Sequence, residues 1–153
     1  MKEASDEDWM REALRQAEAA LGKEEVPVGC VITRGGSKIA QAHNMRERLG
    51  DPTAHAEILA LAQAARAIGN WRLTGTTVYC TLEPCCMCAG ALVNARVDRL
   101  VYGLADPKSG ACGSVLDVLG LSALNHRVEV TGGVLADEVR ELMQRFFLPR
   151  RGK

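Results

Sequence analysis

Residues 76–94, Thr76-Thr77-Val78-Tyr79-Cys80-Thr81-Leu82-Glu83-Pro84-Cys85-Cys86-Met87-Cys88-Ala89-Gly90-Ala91-Leu92-Val93-Asn94, change character part-way along. Thr76–Thr81 is rich in β-formers and reads as a strand. Pro84 suits the first position of a helix, which would run to about Asn94. Arg99–Tyr102 then reads as another short strand, and Arg127–Val130 as one more. Upstream, Val28–Thr33 and Lys38–Ala42 flank Gly35-Gly36, a hairpin turn signal. Between hairpin and strand, Asp51-Pro52-Thr53 is turn and cap chemistry. Ile58, Leu61, Ala62 and Ala65 form the apolar face of a helix that Gly69-Asn70 ends.

The ends of the chain complete the pattern. Ser5 can cap a first helix, with Asp8 three residues later as in a capping box. Trp9, Met10, Ala13, Leu14, Ala17 and Leu21 recur at helical spacing, and Gly22 stops the run. Val139, Leu142, Met143, Phe146 and Phe147 mark a last amphipathic helix. Helices alternating with five strands predict an α/β fold, three layers with helices covering a mostly buried sheet. At 153 residues, with no repeat and no linker, one domain over 1–153 is expected.

Hydrophobic residues make up 47% and charged residues 25%, ordinary globular composition. No apolar run approaches the ~20 residues of a membrane span, and the acidic N-terminus lacks the apolar core of a signal peptide. A cytoplasmic protein is expected, so the six cysteines are read as reduced thiols. With 19 bases and 19 acids, net charge gives no support to nucleic-acid binding. The charges are uneven, however. Met1–Glu25 carries eight acids against four bases, whereas from Arg145 onward Arg145, Arg150, Arg151 and Lys153 face no acid.

Cys85 and Cys88 are three apart at a helix start, so both sulfurs project from one face. The helix N-terminus favours their thiolates, the metal-binding form. His55 opens another helix, and Glu57 follows two residues later. Three protein ligands of these types leave a fourth position for water, the pattern of a catalytic zinc site. Zinc brings that water's deprotonation toward neutral pH. Glu57, not needed as a ligand, could then carry protons. A lone C-x-x-C could instead be a redox pair. A closed structural site could draw a fourth ligand from Cys86 or Cys80. Cys86, though, is turned about 100° from Cys85 around the helix, and a structural site leaves Glu57 without a role. Cys30, Cys80 and Cys112 are read as small packing thiols.

His55-Ala56-Glu57 followed by Pro84-Cys85-x-x-Cys88 resembles the zinc-deaminase signature. Over almost the whole chain the sequence further resembles the bacterial tRNA-specific adenosine deaminases, which convert a wobble adenosine to inosine. The likeness runs through Glu25-Val26-Pro27-Val28-Gly29, Asn44, Asp51–Ile58 and Thr81–Gly90. It continues through Tyr102-Gly103, Asp106-x-Lys108, Gly113-Ser114, Asn125-His126-Arg127, Gly133-Val134-Leu135 and Phe146-Phe147. The resemblance implies a cytidine-deaminase-like α/β/α sandwich around a five-stranded mixed sheet, usually a homodimer, with one Zn2+ per subunit. It implies that His55, Cys85 and Cys88 ligate the metal and that Glu57 shuttles protons. Asn44 would hydrogen-bond the flipped purine, Val28 would wall the base pocket, and Asp106 and Lys108 would border the anticodon site. The implied partner is a tRNA anticodon stem-loop, that of an arginine tRNA. Cys30 stands where alanine is usual, and Cys86 where a small or aliphatic residue is. The rivals are a zinc deaminase of a free base or nucleoside, and an RNA-binding module with a structural zinc.

Overall fold

The computed structural model describes residues 3–150. Helix α1 (Asp6–Leu21) starts at Ser5, whose hydroxyl accepts from the Asp8 amide while the Asp8 carboxylate accepts from the Ser5 amide. This reciprocal capping box satisfies two otherwise orphan donors, as the sequence predicts. Met10, Ala13, Ala17 and Ala20 form its buried stripe. The small side chains let the helix lie close on the sheet. A Cβ on Gly29 would fall 2.0 Å from the Ala13 carbonyl oxygen, so only glycine fits there.

Strands β1 (Gly29–Arg34) and β2 (Ser37–His43) form the expected hairpin. Gly35 and Gly36 turn it with φ of +59° and +78°, the left-handed pair that a tight hairpin requires. Strands β3 (Thr76–Leu82), β4 (Arg99–Leu104) and β5 (Glu129–Thr131) complete a five-stranded sheet of order β2-β1-β3-β4-β5. Pairing is antiparallel between β1 and both neighbours, and parallel from β3 to β5, so the sheet is mixed.

Both faces of this sheet are covered. Val31, Tyr79 and Val101 face α1, together with Met10 and Ala13. Their neighbours Cys30, Ile32, Val78, Cys80 and Leu100 point the other way, into the larger core beneath α3 (Ala56–Ile68) and α4 (Cys86–Asn94). That two-residue alternation buries apolar surface on each side, at about 1.5–3 kcal/mol per large side chain. Helix α5 (Ala136–Phe147) lies beside α1 and buries Val139, Leu142 and Phe146. The three-layer α/β/α architecture is the one expected.

Several boundaries move. Helix α4 begins at Cys86 with Cys85 as its N-cap, so Pro84 precedes the cap instead of opening the helix. Thr53 does not cap α3; its amide and hydroxyl both donate to Asp51 Oδ1, closing a turn, and His55 takes the N-cap. Ala62 is exposed, and α3 buries Ala56, Glu57, Ala60, Leu61 and Ala64 instead. A run of alanines fits more than one helical face, and here the small face goes inward. Strand β1 runs one residue later than expected, and β5 covers Glu129–Thr131 instead of Arg127–Val130. A single extra turn, α2 (Arg46–Leu49), was not predicted. Phe147 lies 43% exposed, outside the buried stripe of α5. Arg151 and Lys153 fall outside the described residues.

Candidate metal centre and substrate cleft

Two helix N-termini converge on one point beside the sheet. His55 caps α3 and Cys85 caps α4, both with extended backbone, while Cys88 lies in the first turn of α4. His55 Nδ1 is 3.6 Å from Cys85 Sγ and 3.5 Å from Cys88 Sγ, and the three donor atoms lie within 4.8 Å of one another. Zinc bonds of about 2.0–2.1 Å to nitrogen and about 2.3 Å to sulfur, at a tetrahedral angle, set the nitrogen–sulfur edge near ~3.5 Å. The trio fits a tetrahedral ion in both donor type and spacing. Cys86 is exposed and takes no part in the cluster.

The electrostatics agree with that chemistry. The Cys88 thiol donates toward Cys85 and, with the His55 ring, holds the Cys85 thiol at about 4 despite its burial. Cys88 is pushed up in turn by that shared proton and by burial. Hydrogen bonding to Cys85 raises His55. Both helix dipoles add partial positive charge where a thiolate sits. Glu57, in the first turn of α3 and 3% exposed, is raised chiefly by burial. Burial disfavours the charged form of such a carboxyl, so it holds its proton more tightly than an exposed glutamate does.

The centre lies in a cavity of about 810 Å³. Val28, Asn44, Glu57, Asp106 and Lys108, all singled out in the sequence, line it together with His55 and Cys85. Asn44 is 7% exposed and braces two segments, donating to the Val26 carbonyl at 3.3 Å and accepting from the Arg46 amide at 3.1 Å. The Asp106 carboxylate accepts from the Lys108 and Ser109 amides, closing a turn at the rim. Two buried carboxylates hold the rim from behind. Glu25 accepts from the Glu47 and Arg48 amides at the start of α2, and Glu83 accepts from the loop after β4.

Several lining residues were not singled out. Arg46 and Arg140 add positive charge to the wall and Leu148 adds apolar surface, as do Met143 and Phe147, which the sequence marked only as apolar positions of the last helix. Arg150, named in the sequence as part of the basic C-terminal run, also lines the cavity, its guanidinium 3.7 Å from the centre of the Phe146 ring. Arg46 follows Asn44 by two residues and Arg140 precedes Phe147 by seven, which was the available signal. Asn125-His126-Arg127 does not reach the cleft. The His126 ring sits 2.6 Å from the Val97 carbonyl and ties the long loop before β5 to the connection between α4 and β4.

Residues 4–151 match the family model described as MafB19-like deaminase. The chain belongs to this deaminase family. Among its relatives is the tRNA-specific adenosine deaminase of Bacillus subtilis (strain 168), 46% identical over 148 residues, 97% of this chain and 92% of the relative. A solved structure from work on A-to-I editing by tRNA:A34 deaminases at the wobble position superposes with a TM-score of 0.84 at 41% identity. That match covers 87% of this chain and 96% of the other. The guanine deaminase of Nitrosomonas europaea has a TM-score of 0.82 at 24% identity over 94% of this chain and 85% of its own, which speaks to the deaminase fold alone.

Proposed function

We infer that this chain is a tRNA adenosine deaminase, converting adenosine to inosine at the wobble position of an anticodon with release of ammonia. The observation that carries it is the His55–Cys85–Cys88 cluster at tetrahedral spacing beside buried Glu57, inside one large cleft. The near-full-length likeness to a relative named for adenosine in tRNA supplies the substrate.

His55, Cys85 and Cys88 would hold one Zn2+ per subunit. When bound, the ion supplies Lewis acidity that brings deprotonation of a water molecule near neutral pH. Glu57 takes the proton from the attacking water and delivers it to the purine ring nitrogen N1. As the water oxygen bonds C6, Glu57 passes the remaining proton from the new C6 hydroxyl to the amine, the C6–N6 bond breaks, and water and adenosine yield inosine and ammonia. Asn44 holds the purine edge, and Val28 packs against its face. Asp106, Lys108 and the arginines of the rim receive the flanking nucleotides. An anticodon base is already unpaired, so turning it into a cavity costs less than opening a duplex.

The RNA is an arginine tRNA on this reading, and the enzyme, one domain over 1–153, works in the cytoplasm as a homodimer. Among the described residues no helix is long and apolar enough to cross a membrane. Val115, Leu116, Leu121 and Leu124, exposed on the loop before β5, give a second copy an apolar surface to cover. Incubation with an arginine tRNA carrying a wobble adenosine is expected to yield inosine. Ammonia release from free adenine or guanine with no product on tRNA would move the substrate to a free base.

A further inference from the structure

We propose that Glu83 is a positioning residue for substrate. Its carboxylate fixes the turn Asp106–Ser109 that forms one rim of the cleft, and through that turn it sets how tightly RNA binds. The inference rests on the tRNA reading above for its substrate, but not for its geometry.

Glu83 ends the sheet at the point where β3 gives way to the segment leading into Cys85. It is 2% exposed, yet among the described residues its carboxylate meets no cation within hydrogen-bond range. Four donors surround it instead. Oε1 accepts from the Asp106 amide at 3.0 Å and from the Ser114 hydroxyl. Oε2 accepts from the Cys112 amide at 2.9 Å and the Ser114 amide at 3.1 Å. The loop between β4 and β5 is therefore wrapped around one buried anion. Gly110 shows how closely: a Cβ there would lie 2.4 Å from the Glu83 carboxyl carbon.

The Asp106 amide is the point through which this reaches the cleft. Asp106 organises everything after it, its carboxylate accepting from the Lys108 amide at 3.0 Å and the Ser109 hydroxyl at 3.0 Å, its carbonyl from the Gly110 amide at 3.0 Å. The turn is internally braced, and Glu83 anchors it to the sheet. Asp106, Pro107, Lys108 and Ser109 all line the cavity. A buried carboxylate that only stabilised the loop could sit anywhere along it. This one holds the residue from which the substrate-facing turn is built.

Glu83→Gln separates the two roles. Every partner of Glu83 donates, so the amide nitrogen of glutamine must face a donor. The Ser114 hydroxyl can rotate to accept from it, and the Asp106 amide cannot. The variant thus strands the Asp106 N–H and leaves the Cys112 and Ser114 amides bonded. With an anticodon stem-loop RNA bearing a wobble adenosine, KM is expected to rise about 10-fold while kcat stays within about 3-fold. Zinc content should remain one per chain. Hydrogen exchange at the Asp106 amide should quicken about 10-fold or more in the RNA-free protein. Gly110→Ala, which crowds the same carboxylate without altering its charge, should reproduce the split in KM. Ser114→Ala, which removes one of four donors, should move KM only about 2-fold. Loss of zinc in Glu83→Gln, or a fall in kcat at constant KM, would place Glu83 with the metal centre or the chemistry and overturn the proposal. Unchanged Asp106 exchange would overturn it too. If the wild-type protein does not deaminate the RNA, the substrate reading falls, and exchange still decides what Glu83 holds.

Discussion

On the proposed mechanism Glu57 and the three proposed zinc ligands divide the work of the site so cleanly that single substitutions should separate them. Glu57→Ala removes only a buried carboxyl beside an intact cluster. It is expected to keep zinc and fold, and to lose about 10²–10⁴-fold in turnover, the usual contribution of one acid–base group. Substantial activity or missing zinc in that variant, read by metal analysis and inosine assay, would contradict its role. His55, Cys85 and Cys88 should each prove necessary for stoichiometric metal, whereas Cys86→Ala and Cys30→Ala should retain it. A zinc requirement for Cys86 would mean a closed structural site. These residues were legible in sequence because few jobs suit a histidine and two cysteines at such spacing. Glu83 and Glu25 were not. A glutamate among backbone amides far away in sequence looks like any surface acid until the fold buries it, and no motif singled out Arg46.

Among the elements, α1 carries the clearest test of how a helix is fastened to the sheet. Asp6, in its first turn, receives both Arg99 nitrogens, at 2.8 and 2.7 Å, and the Tyr79 hydroxyl at 3.1 Å. The Arg99 hydrogen bonds hold its carboxyl below the usual range, against some burial. Burial and Asp6 itself push Tyr79 up to about 12. A carboxyl lowered on folding adds stability that is full above its unfolded value near ~3.9 and is lost as pH falls through the folded value. Asp6→Asn should therefore cost about 1 kcal/mol at pH 7, a modest figure because the pair is partly exposed. The gap to wild type in melting temperature should close as pH drops below about 4. A gap that persists at pH 2 would show that packing, not the ion pair, is what the substitution disturbs. The elements themselves were readable where local chemistry decides them, as at Ser5 and Asp8 or at Gly35 and Gly36. They were less so where neighbours decide. The face of α3 depends on what the sheet presents, and the start of α4 depends on Cys85 being pulled out as a cap toward His55.

For the molecule as a whole, a formal net charge of zero coexists with Arg46, Lys108, Arg140 and Arg150 gathered on the wall of one cavity. Composition could not reveal that gathering, because it arises from α2, the β4–β5 loop, α5 and the 3-10 turn after it meeting in space. RNA affinity should accordingly come from a few local ion pairs with phosphate. Neutralising Arg150 and Arg151 is expected to weaken binding to the anticodon stem-loop and flatten its salt dependence, by about 0.7–0.9 in the log–log slope for each phosphate that goes unpaired. An unchanged slope would leave the footprint to Arg46, Lys108 and Arg140. The strand order has one more consequence. The hairpin β1–β2 and the unit β3-α4-β4 are each built from neighbouring sequence, and they join only where β1 pairs with β3. The proposed metal ligands sit on opposite sides of that join, His55 thirty residues from Cys85. No complete set of donors exists until the halves have met, so an ion held by all three is expected to bind only once that join has formed and to act on unfolding more than on folding. Chelation should then shorten the lifetime of the native state and leave unaltered the time the chain takes to reach it.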